Sequence, residues 1–133
     1  MKILLTILLV FILVDVLIVG YVLYRRFRRK VSQKTIEKIR IHWKEIIRGE
    51  DPRQAILEAD KLLDMALEAV GYRGNLGNKL KAAPGLFSDL NGLWAAHKIR
   101  NNIAHQLNYQ VDEASYRKTM LSFKKAFRDL KIF

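Results

Sequence analysis

The 133 residues predict an all-α protein, an antiparallel four-helix bundle preceded by one transmembrane helix, and three observations carry that prediction. Residues 3–24 are an almost unbroken apolar stretch, and four later segments repeat apolar side chains at the 3.6-residue spacing of a helix buried on one face. No segment alternates as a half-buried strand would, and the connections are short enough to bring successive helices back antiparallel. The chain holds no internal repeat, low-complexity tract or Gly-rich phosphate loop, and it has no cysteine, so packing rather than disulfides must stabilise it.

The first element is ILLTILLVFILVDVLIVGYVLY, residues 3–24. A helix of that length, at about 1.5 Å per residue, matches a hydrocarbon core of about 30 Å. A cleaved signal peptide would need a shorter apolar region followed by a small-residue cleavage site. No alanine occurs before Ala55, and the stretch runs straight into RRFRRK, five positive charges in six residues, at the end opposite to where a signal peptide carries them. By the positive-inside rule this cluster outweighs Lys2 and the amino terminus, which predicts a single-pass membrane protein with its C-terminal domain cytoplasmic. Asp15 lies near the middle of the span, where an acid costs roughly 2.5–3.5 kcal/mol of insertion free energy. The surrounding Leu, Ile, Val and Phe contribute roughly 0.3–0.6 kcal/mol each and outweigh it. Two readings of Asp15 follow, a contact to another membrane helix or a tolerated acid.

Residues 1–30 form the anchor and its basic juxtamembrane segment, and residues 31–133 the helical bundle. Of the net charge of +11, the anchor carries +5 and the remaining 103 residues +6. Anionic lipid accounts for the first figure. The second suits a polyanionic partner such as RNA or a nucleotide.

The first soluble helix contains VSQKTIEKIRIHWKEIIRG, with Ile36, Ile39, Trp43, Ile46 and Ile47 on one stripe. No proline or glycine separates it from the membrane span, so it is expected to continue that helix and to end near Gly49. Asp51 and Pro52 are the cap and first-turn proline of the next helix, which buries Ala55, Ile56, Ala59, Leu62, Leu63, Ala66, Leu67 and Val70 and stops at Gly71. Residues 71–92 hold five of the seven glycines and form the connection, with a short helical turn around residues 76–83. A third helix begins at Ser88 or Asp89 and carries LNGLWAAHKIRNNIAHQ. After a loop at residues 107–111, Asp112 caps a fourth with Tyr116, Met120, Phe123, Phe127 and Leu130 as a core stripe.

The third helix is unusually rich in polar side chains with chemistry. On a wheel of about 100° per residue, Leu93, Ala96, Ile99, Ile103 and Ala104 share one arc, and Arg100 falls inside it. A guanidinium aimed at a core needs an acid. Asp60, at the edge of the second helix's apolar arc, is the first choice, and Glu58 on the opposite flank the alternative. His97, Asn101 and His105 are spaced by four and share another face. The two histidines are two turns apart, about 12 Å, which is too far to share one small ion. With no cysteine and no third ligand, no metal site is expected, and no cofactor motif is present. Arg100 and His105 diverge by about 140° and rise by about 7.5 Å, so they do not touch within one helix. Taken alone, the pair reads as a buried arginine in a salt bridge and a histidine favoured by a helix C-terminus.

The segment Arg100-Asn101-Asn102-Ile103-Ala104-His105 resembles the R-x(4-6)-H motif of the HEPN family, in which a polar residue usually follows the arginine. The layout is similar too. The family is an all-helical bundle with the motif on its third helix, residues 35–131 supply that order, and AILEADKLLDMAL looks like the second helix of many members. Many HEPN proteins are metal-independent endoribonucleases, commonly homodimers that place two motifs in one cleft. The resemblance implies that His105 acts as general base or acid in attack of a ribose 2′-OH on the adjacent phosphodiester, that Arg100 holds the phosphate, and that Asn101 orients His105 or substrate. A dimer would let one subunit's arginine serve beside the other's histidine. Asp60, Asn102 and His97 form the supporting or substrate-binding set, with His97, outside the motif, read as a surface or packing residue rather than a catalytic one.

The membrane anchor departs from the family's core pattern, and some members only bind nucleotides or act as assembly modules. The alternative to a ribonuclease is therefore a non-catalytic nucleotide-binding, RNA-binding or assembly module tethered to the membrane. A third reading is a small membrane protein whose charge meets only lipid.

Overall fold

The computed structural model describes every residue except Arg29, and of residues 25–28 the backbone alone. The side chains of the basic cluster at 25–29 thus lie outside the described residues. The described residues hold six α-helices and no strand: α1 (Lys2–Arg28), α2 (Gln33–Arg48), α3 (Pro52–Val70), α4 (Leu76–Ala82), α5 (Leu90–His105) and α6 (Glu113–Asp129), with a 3-10 turn at Pro84–Leu86. They fall into two units, residues 1–30 and residues 31–133.

In the first unit, α1 is long and apolar enough over Lys2–Tyr24 to cross a membrane. Its large apolar side chains from Ile3 to Tyr24 are exposed, leaving a hydrophobic surface all round the helix.

The second unit begins with a correction. α2 does not continue α1, because Lys30, Val31 and Ser32 are non-helical and Ser32 is the N-cap of a new helix. Its hydroxyl oxygen accepts the Thr35 N–H at 3.3 Å, so a serine starts a new helix where, with no glycine or proline present, none was expected to start. α2 buries Ile36, Ile39 and Trp43, leaves Ile46 half-buried and turns Ile47 to solvent, so the predicted stripe is one residue too wide.

α3 is the central element, in contact with α2, α4, α5 and α6. Asp51 caps it by accepting the Arg53 N–H at 2.9 Å, and Gly71 ends it in the left-handed conformation that glycine adopts without steric penalty. Every apolar residue predicted for its core face is buried. Around α3 the core is completed by Leu76 and Leu80 of α4, Leu93, Ala96 and Ile103 of α5, and Met120, Phe123 and Phe127 of α6.

The C-terminal residues also join the core, which sequence periodicity did not foresee. Lys131 takes a left-handed φ of 60°, and the Ile132 and Lys131 N–H groups bond back to the Phe127 and Arg128 carbonyls. That reversal buries Ile132 and brings Phe133 into an aromatic cluster with Trp43 and Phe127, the three ring pairs separated by 5.4–5.8 Å. Arg40 locks the arrangement by donating to the Ile132 carbonyl at 2.6 Å.

Candidate functional site

α5 owes its position to a charged cap. Asp89 accepts the Gly92 N–H at 2.9 Å and meets Lys125 of α6 at 3.2 Å. These contacts, the Gly92 hydrogen bond first, hold its carboxyl below the usual aspartate range. The apolar side of α5 then packs on α3 and α6 through Leu93, Ala96 and Ile103. Ala104, predicted to share that side, is exposed, because in the last turn of α5 only Ile103 is covered.

This packing carries the polar residues of α5 to the edge of α3. Asp60 is buried there, and each of its carboxylate oxygens meets a different residue. Oδ1 lies 2.8 Å from His97 Nδ1, and Oδ2 lies 3.1 Å from Arg100 Nε. The acid expected for Arg100 is therefore in place. Glu58, the alternative, is engaged at the surface by Gln54 and Lys61.

The two contacts to Asp60 differ in kind. A carboxylate only accepts, so a ring proton sits on His97 Nδ1, which donates it to Asp60 Oδ1. Arg100 Nε is close enough to attract the carboxylate, but its N–H is not aligned for a hydrogen bond, leaving that buried nitrogen in a Coulombic contact only. The guanidinium donates instead through Nη1 to Asn101 Oδ1 at 3.0 Å.

His97, read from the sequence as a surface or packing residue of the supporting set, is packed rather than on the surface. Its side chain is 14% exposed, tied to Asp60, and set edge-on to the Trp94 ring with centroids 6.1 Å apart. The wheel contained the signal, because His97 and Arg100 are three residues apart and so are neighbours able to share one carboxylate.

Asp60, His97, Arg100 and Asn101 line a groove of about 530 Å³. α3 also contributes Lys61 and Asp64, α4 contributes its cap Asn75 with Leu76, Gly77 and Asn78 of its first turn and Lys81 of its last, and α5 adds Trp94. The α4 wall is fixed by a residue that sequence reasoning missed. Lys79 is buried with its ammonium 2.8 Å from Asp64 Oδ1, 3.2 Å from the Asp64 carbonyl and 3.6 Å from Glu68. Its sequence signal was position, since Leu76, Lys79, Leu80 and Ala83 share one helical face.

Of the other predicted site residues, His105 does not line this groove. It is exposed in the last turn of α5, and its side chain makes no hydrogen bond or ion pair among the described residues. Asn102 is half-buried and accepts from Gln106 at 3.3 Å. The chain thus joins Arg100 to Asn101, His97 and Asp60, and keeps His105 apart. Among the described residues no three His, Asp or Glu side chains gather where they could hold a metal ion. No protein-family model, curated protein or solved structure matches the chain.

Proposed function

We propose that this chain is a membrane-anchored, metal-independent endoribonuclease of the HEPN type, acting on cytoplasmic RNA as a homodimer. In this reading α1 spans the membrane once, with residues 31–133 on the cytoplasmic side as an antiparallel four-helix bundle formed by α2, α3, α5 and α6. One observation carries the proposal: Arg100 and Asn101 are hydrogen-bonded side by side, while His105 stands exposed and unengaged on the same helix. A general base must be open to its substrate, and a guanidinium suits phosphate charge. The +6 charge of the soluble residues favours a polyanion.

His105 takes the proton from a ribose 2′-OH as the O2′–P bond forms. The P–O5′ bond breaks, and the 5′ oxygen takes a proton from the second subunit's histidine or from water. Arg100 neutralises the phosphate in the transition state, and Asn101 holds the guanidinium or substrate in register.

The test is cleavage of labelled single-stranded RNA by the full chain in detergent micelles with a metal chelator present. His105→Ala is expected to lower the rate by roughly 10²–10⁴-fold, the usual range for a lost general acid or base. A variant that cleaves as fast as the parent protein removes His105 from the mechanism. Crosslinking in the same micelles checks the dimer, and protease accessibility in oriented vesicles checks the topology.

The engagement of Arg100 by buried Asp60 favours a second reading, a non-catalytic nucleotide-binding, RNA-binding or assembly module with a structural arginine. It predicts retention of RNA without cleavage, and full binding by His105→Ala.

A further inference from the structure

We infer that the furrow between α2 and α6 is a docking site for a partner protein, which lays an acidic amphipathic helix into it. None of the furrow's residues belongs to the Arg100 motif, and the RNA reading above does not bear on it.

α2 and α6 both pack on α3. They close on each other at one end, where Arg40 donates to the Ile132 carbonyl and Trp43 meets Phe127 edge-on. Toward the C-terminus of α2 and the N-terminus of α6 they leave a furrow of about 630 Å³. Its floor is the buried Trp43 and Met120, and its walls carry Ile47 and Leu121, each half exposed. Two large aliphatic side chains open to water on the two walls of one recess gain free energy when an apolar surface covers them.

Charge says what covers them. Lys44 and Arg48 stand beside Ile47 on α2, and Arg117 and Lys124 lie on either side of Leu121 along α6. Among the described residues Glu113 is the one acid in the lining, and Arg117 takes it at 2.7 Å. Lys44, Arg48 and Lys124 take part in no ion pair among the described residues. An apolar floor between two rows of cations is the complement of a helix with leucine-type side chains at i, i+3, i+4 and i+7 and carboxylates along both edges of that stripe. Glu113 to Lys124 span about three turns, or about 16 Å, so about 11 partner residues would lie in contact. Two other occupants match less of the furrow. A two-fold contact with a second copy would set each cationic wall against like charge. A bilayer surface would cover Ile47 and Leu121 but could not follow the recess down to Trp43 and Met120.

The probe is a fluorescent synthetic helix of about 18 residues, or five turns, with leucine at that spacing, glutamate flanking it and glutamine on the far face. Its anisotropy is followed as the full chain is added in phosphatidylcholine nanodiscs, since detergent monomers would enter an apolar furrow. The glutamate helix is expected to bind at least about tenfold tighter than its lysine counterpart, and to weaken as salt is raised. Ile47→Ser and Leu121→Ser change half-exposed positions, so the fold is kept, and each is expected to weaken binding about tenfold. Arg48→Glu is expected to do the same, and Lys44→Glu with Arg48→Glu to reverse the preference in favour of the lysine helix. Lys98→Glu, exposed on α5, makes the same change of charge away from the furrow and is expected to bind as the parent protein does. Binding of neither helix, equal binding of both, or equal effects of Arg48→Glu and Lys98→Glu overturn the inference. So does self-association of the parent protein, or its co-sedimentation with phosphatidylserine liposomes, that Ile47→Ser abolishes, because a second copy or lipid then fills the furrow.

Discussion

Replacing Asp60 with alanine is expected to destabilise residues 31–133 by about 2–3 kcal/mol. Removing one member of a buried ion pair usually costs about 3–5 kcal/mol, because the other charge is left without a partner. Here the carboxylate is 5% exposed but the Arg100 side chain is 28% exposed, so the guanidinium has a route to water that lowers the penalty. The lost acceptor of His97 adds part of the roughly 1.5–3 kcal/mol typical of a hydrogen bond to a charged group, since the ring also has some access to water. Asp60→Asn keeps an oxygen for His97 Nδ1 but turns an amide N–H₂ toward Arg100, and about 1–2 kcal/mol is expected. The assay is urea unfolding of the full chain in micelles, followed by helical circular dichroism, with α1 as a constant background. Arg100→Ala and the double variant complete a cycle whose coupling is expected at about 1–2 kcal/mol. An Asp60→Ala midpoint equal to that of the parent protein, or single effects that add within about 0.5 kcal/mol, refutes the account of Asp60 as the shared anchor.

Two further outcomes follow from charges outside that triad. Lys79→Met fills the same buried channel without a charge to desolvate and is expected within about 1 kcal/mol of the parent, whereas Lys79→Ala leaves a cavity and is expected to lose about 2–4 kcal/mol, read from the same urea midpoints. Asp89 and Asp112 are both held below the usual aspartate range, chiefly by the backbone N–H groups of Gly92 and Ser115. A depressed carboxyl stabilises the fold above its unfolded-state pKa, and that contribution disappears as pH falls through the lowered folded value. Stability should therefore decline below about pH 4, and the decline should be shallower in Asp89→Asn and Asp112→Asn than in the parent protein, as pH-dependent unfolding curves will report.

Helix starts and stops were legible in the sequence wherever a side chain or a glycine acts on its own backbone. Asp51 with Pro52, Gly71, Asp89 and Asp112 all mark the ends that their local chemistry predicts. Ser32 acts equally locally, but a serine breaks a helix only when its hydroxyl caps the next one, which composition alone does not signal as proline or glycine does. The core face of α3 was readable because it is buried against neighbours on several sides, so its period is complete. The edges of α2 and α5 were not, since Ile47 and Ala104 depend on where neighbouring helices stop covering them.

The same division holds at the site. The sequence by itself determined that Arg100 lies on the packed side of its helix, that an acid must meet it, Asp60 before Glu58, and that His105 faces elsewhere, because these follow from helical periodicity and the cost of a buried charge. Only the tertiary structure decided that His97 shares Asp60 across 37 residues of chain. Only it set Lys79 behind Asp64, and Gly77 opposite His97 and Trp94. Periodicity assigns a side chain to a face, but which atoms meet across two faces depends on how far each helix is slid and turned against its neighbour. That choice is made by the whole core at once.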